Sequence, residues 1–81
     1  MKILFDTTAD SKGRFTFIKR FRKWFTHSIK IQDTSDGCVV RKDVGEGNPL
    51  DEKGRLTILG LANKSIRVKG DGNKLVITIL H

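Results

Sequence analysis

Two rhythms of apolar residues divide this chain. In its second half apolar positions recur every two residues. In "KSIRVKG", residues 64 to 70, Ile66 and Val68 alternate with Ser65, Arg67 and Lys69, as expected of a strand with one wet face. In "KLVITIL", residues 74 to 80, Leu75, Ile77 and Ile79 alternate with Val76, Thr78 and Leu80. That strand is apolar on both faces, which predicts a central place in its sheet. "RLTILGL", residues 55 to 61, is similarly rich in β-formers. Ala62-Asn63 and Asp71-Gly72-Asn73 separate the three segments as turns, so the pattern predicts a three-stranded meander. Upstream, "KILF" (2 to 5), "SIKIQ" (28 to 32) and "CVVRKDV" (38 to 44) read as shorter strands, the last two joined by the turn "DTSDG" into a hairpin. "GEGNPLDEKG", residues 45 to 54, is the one long loop. The pattern shows no internal repeat or low-complexity tract.

The second rhythm lies between these strands. Phe17, Ile18, Phe21, Trp24, Phe25, Ser28 and Ile29 fall within an arc of roughly 140° when plotted at helical spacing, with Lys19, Arg20, Arg22, Lys23, Thr26, His27 and Lys30 on the remaining arc. Alternation by two fits less well, because it puts Lys19 and Lys23 on the face of Phe17 and Phe21, with Ile18 and Trp24 on the other. The spacing predicts an amphipathic helix over about 17–28. Its ends are weakly specified: Thr16 as cap lacks a Glu or Gln at Lys19, basic charge crowds the positive end of the helix dipole, and no glycine closes the C-terminus. The fold class is therefore α+β and β-dominant: one small domain over 1–81, an antiparallel sheet or small barrel of five to six strands, with one amphipathic helix laid on it or plugging an end.

Charge changes the picture once it is located along the chain. The net charge is +7, from 16 basic and 9 acidic residues. Between Ser11 and Gln32 stand Lys12, Arg14, Lys19, Arg20, Arg22, Lys23 and Lys30, with no acid among them, while the rest of the chain is balanced. The same window holds every aromatic residue except Phe5. Cys38 is the only cysteine; a secreted domain of this size usually needs several, so a reducing, cytoplasmic setting is expected. The apolar run Ile3 to Phe5 is too short for a signal peptide, and no run of about 18 apolar residues is present for a transmembrane helix.

Catalytic and metal chemistry find little footing, and the chain reads as a non-enzyme without cofactor. Nucleophilic catalysis needs Ser or Cys beside an oriented base, yet the two histidines are His27, on the predicted polar face, and the terminal His81. Cys38 opens a predicted strand and reads as a small core residue. No Cys or His pair has metal-ligand spacing, and Asp33 to Gly37 lacks the third oxygen position and closing glutamate of a calcium loop. Gly45 and Gly47 lack the third glycine and the flanking strand and helix of a phosphate loop. Asp6, Asp10, Asp43, Asp51 and Glu52 are scattered in polar segments. No small-molecule substrate is evident.

What remains is the basic window. Its aromatics are expected to be core, and its cations, Lys12, Arg14, Lys19, Arg20, Arg22, Lys23 and Lys30, the face left outside. Such a face suits the phosphate backbone of a nucleic acid, DNA or RNA, which gives salt-dependent affinity without sequence readout. The alternative is an interaction or inhibitor module docking on an acidic protein surface, the kind of factor a virus or mobile element encodes. A peripheral membrane helix is disfavoured, because the sheet needs the same apolar face as its lid. Nothing in the sequence sets the oligomeric state.

Overall fold

The computed structural model describes residues 2–81, and of Glu46 and Asp71 the backbone alone. Its elements in chain order are β1 (Ile3–Thr8), β2 (Arg14–Thr16), a 3-10 helix η1 (Lys19–Trp24), β3 (His27–Thr34), β4 (Gly37–Glu46), β5 (Arg55–Thr57), a short 3-10 helix η2 (Leu59–Leu61), β6 (Ser65–Asp71) and β7 (Lys74–Ile79). Five strands form an antiparallel sheet in the order β1-β6-β7-β4-β3, and β2 and β5 form a separate two-stranded antiparallel ladder. The sheet is open, with β1 and β3 at its edges, so the barrel alternative is not what forms. β7, apolar on both faces, occupies the centre, paired with β6 along one edge and β4 along the other.

One face of the sheet is buried. Ile3, Cys38, Val40, Ile66, Val68, Leu75 and Ile77 pack against Phe15, Phe17, Leu56 and Ile58 of the ladder and against Phe21, Trp24 and Phe25 in and beside η1. Ring pairs knit the aromatics together: Phe17 stands edge-on to Phe25 with centroids 4.7 Å apart, and Trp24 edge-on to Phe25 at 5.0 Å. The other face points away from this core, as strict alternation requires.

Two expectations are corrected here. The helix over 17–28 is replaced by an extended stretch that continues β2 through Ile18, a six-residue 3-10 helix and the start of β3. The reason lies outside the segment. The Phe17 amide donates to the Gly54 carbonyl at 2.9 Å, which commits Phe15 and Phe17 to strand alternation against β5, and Ile18 stays extended at ψ 151°. Only Lys19 to Trp24 can then coil, and the β3 ladder takes over at His27. No side chain caps η1 and its first turn holds no acid, so nothing local resists this outcome. Separation of aromatics from cations survives, since 3-10 spacing also brings i and i+3, here Phe21 and Trp24, to one side.

The meander is corrected too. β6 and β7 pair as predicted, but β5 leaves the sheet to pair with β2. The chain also carries a repeat that its hydropathy pattern hides: "ADSKGRFTFI" (9 to 18) and "LDEKGRLTIL" (50 to 59) share Asp, Lys, Gly, Arg and Thr at matching places. The two copies lie antiparallel in the ladder, Phe15 opposite Leu56, with Arg14 opposite Thr57 and Thr16 opposite Arg55. Their outer bonds match as well. The Ile58 amide donates to the Gly13 carbonyl at 2.9 Å, as the Phe17 amide does to that of Gly54. Each copy's preceding strand pairs with the following strand of the other, β1 with β6 and β4 with β3.

Candidate functional site

The predicted cations do not form one face. Lys12 is exposed on the turn before β2, and Lys19, Arg20 and Lys23 are exposed on η1. Arg22 is drawn inward: its Nε donates to the Phe17 carbonyl at 2.9 Å, and its side chain lies against Gly54. Lys30 stands apart on β3, on the outer face of the sheet, where its Nζ is 3.7 Å from Asp43. Arg22 thus serves as packing that fastens η1 to the turn of the second copy, and Lys30 belongs to another surface.

The ladder organises the rest. In each copy an aspartate closes the turn. Asp10 Oδ1 accepts the amides of Lys12 and Arg14, both at 2.9 Å, and its Oδ2 accepts Arg14 Nε at 2.7 Å. Asp51 repeats this with Lys53, Arg55 and Arg55 Nε at 2.9, 2.9 and 2.7 Å. The Arg14 amide, with the Arg14 side chain and the Lys12 amide, holds the Asp10 carboxyl down at about 2. The Arg55 amide and side chain and the Lys53 amide lower Asp51 in the same way. Each aspartate holds its arginine through Nε, which fixes the guanidinium and leaves the donors of its two amino groups for a partner.

Strand alternation sets where these groups point. Phe15 and Leu56 are buried beneath the ladder, so Arg14, Thr16, Arg55 and Thr57 lie on its outer side. At the flanks Ile18 and Leu59, at matching places in the two copies, are 42% and 75% exposed. η1 borders the same layer through the contact of Arg22 with the turn at Gly54, next to Lys53. Arg20 lies over the Phe21 ring, 4.9 Å from its centroid, which holds its charge close to the surface of η1.

Lys53 and Arg55 are the residues that the sequence reading misses. They fall outside the acid-free window because Asp51 and Glu52 sit beside them, and the signal that finds them is the repeated "D-x-K-G-R-x-T". Reactive side chains elsewhere offer less. Cys38 is buried, and burial, with Asp33 nearby, pushes its thiol up to about 11, which keeps it protonated and unreactive. His27 is exposed and shares a hydrogen bond of 2.8 Å with the Thr26 hydroxyl. Among the described residues no three His, Cys, Asp or Glu converge as a metal site would require, and no helix is long and apolar enough to cross a membrane. No family model, curated protein or solved structure matches the chain.

Proposed function

We propose that the protein binds the phosphate backbone of a nucleic acid through the layer formed by the β2–β5 ladder and η1. The contacting residues are Lys12, Arg14, Lys53 and Arg55 at the two corners of the ladder and Lys19, Arg20 and Lys23 on η1. The observation that carries this reading is the meeting of cations from two separated segments on one layer, with Arg22 of the basic window packed against the turn that bears Lys53. Convergence of this kind is what a polyanion rewards, since each neutralised phosphate releases condensed counterions. A two-stranded ribbon is also of a size that the major groove of a duplex admits.

A mobility-shift titration against duplex and single-stranded probes, repeated from 50 to 200 mM salt, tests it. Affinity should fall steeply with salt, and Arg20→Glu with Lys23→Glu should weaken the shift at least tenfold while the fold is kept, because both side chains are exposed. Affinity indifferent to salt, or no binding to any probe, sinks the proposal. The alternative, an acidic protein partner, predicts capture from lysate that survives nuclease treatment.

A further inference from the structure

A second cationic surface lies across the sheet from the first. Lys74 of β7 stands directly opposite Arg41 of β4, and Arg41 directly opposite Lys30 of β3. Three like charges in one cross-strand row disfavour the fold, because directly opposed cations repel. Local choices that work against the fold are the ones for which a role in binding is the natural explanation. At about 4.8 Å between strands the row is about 10 Å long. The next row adds Lys69, and Lys2, Lys69 and Lys74 together line a shallow concavity over Leu4 and Val76, with no acid among the described residues that line it.

Acids temper the surface without cancelling it. Asp43 lies 3.7 Å from Lys30, Asp6 is engaged by Arg67 at 2.8 Å, and the backbone register sets Asp71 opposite Lys74. Lys2, Arg41 and Lys69 remain in excess over these pairings. The placement relative to the first site follows from two consecutive residues. Lys42 turns inward, its ammonium 4.8 Å from the centroid of the Trp24 ring of η1, while Arg41 turns outward. The sheet therefore stands between the η1 cations and the Lys74–Arg41–Lys30 row, in a molecule whose shortest dimension is 20 Å.

We infer that this outer sheet face, through Arg41, Lys69 and Lys74 with Lys2 and Lys30, is a second phosphate-backbone site, so that one chain bridges two nucleic-acid segments. The inference rests on the function proposed above, which supplies the first segment. A polyanion is the occupant favoured over a protein surface. All six aromatic residues belong to the core or pack against it, so this face lacks the aromatic anchors that dominate protein interfaces, and its attraction is that of charge.

The test uses a biotinylated duplex on beads, a second duplex carrying a fluorophore, and the full chain at 50 mM salt. Wild type should carry the fluorescent duplex onto the beads. Arg41→Gln with Lys74→Gln should still bind the immobilised duplex within about threefold of wild type but lose at least nine-tenths of the recruited fluorescence. A variant that binds and still recruits the second duplex overturns the inference, as does a wild type that binds the first duplex and recruits none; either result leaves the proposed function standing. Failure of wild type to bind the immobilised duplex removes both. Arg20→Gln with Lys23→Gln, which weakens the first site alone, should lose capture by the beads more than the outer-face variant does.

Discussion

At the scale of single residues, the two aspartate-closed turns show how little sequence is needed to fix a side chain. Asp10 and Asp51 each tie down two amides and an arginine, and both carboxyls are held below their ordinary range. A carboxyl depressed in the fold contributes stability that is complete above its unfolded value, near pH 4, and lost as pH falls toward its folded value, about 2 for Asp10. Thermal melts of Asp10→Asn with Asp51→Asn should therefore lie below wild type at pH 6 and converge on it as pH falls from 4 to 2. A gap that stays constant over that range would show that the carboxyl charges are not what the turns use. The glycines of the same turns separate two effects. Both hold positive φ, +79° at Gly13 and +76° at Gly54, which costs a side chain about 1–2 kcal/mol. An added Cβ at Gly13 meets the Ile58 carbonyl of the ladder, whereas at Gly54 it meets the Arg22 side chain, which can swing away. Gly13→Ala should lower the melting temperature more than Gly54→Ala.

At the scale of elements, the aromatic and basic stretch from 14 to 25 divides between a strand and a 3-10 helix, and Trp24 is the pivot. Its ring is buried, its indole N–H donates to the Gly72 carbonyl at 2.9 Å, and Lys42 lies over its face. Trp24→Ala should destabilise the protein by about 3–5 kcal/mol in denaturant titration; a loss under 1 kcal/mol would place the ring outside the core. The segregation of aromatics from cations was legible in the sequence, because it depends on spacing within six residues. The helix was not, because Phe15 and Phe17 could satisfy either period and only β5, remote in sequence, decides between them. The exchange of strands between the two copies of the repeat has its own consequence. β1 needs β6, β2 needs β5, and β4 needs β7. Residues 1–47 and 48–81 prepared separately should show little ordered structure by circular dichroism, and should regain strand signal when mixed. Independent folding of either piece would contradict the exchanged pairing.

At the scale of the whole molecule, charge is arranged on both sides of one sheet. On the function proposed for the ladder and η1 layer, neutralising Arg20 and Lys23 by Gln removes two phosphate contacts, so the slope of log affinity against log salt on duplex DNA should fall in magnitude by about 2. An unchanged slope would mean that these side chains do not touch phosphate. Alternation and composition within the chain established the strands β3, β4, β6 and β7, the burial of the aromatics and the concentration of positive charge, because each depends on neighbours a few residues away. Tertiary structure alone decided the rest. It turned Arg22 inward onto Gly54 and sent Lys30 to the outer sheet face. It also brought Lys53 and Arg55, which the local charge balance had hidden, onto the same two-stranded ladder as Lys12 and Arg14. Side-chain direction is set by which backbone segment packs on which: the neighbouring β4 sets it for Lys30, and partners from opposite halves of the chain set it for Arg22, Lys53 and Arg55.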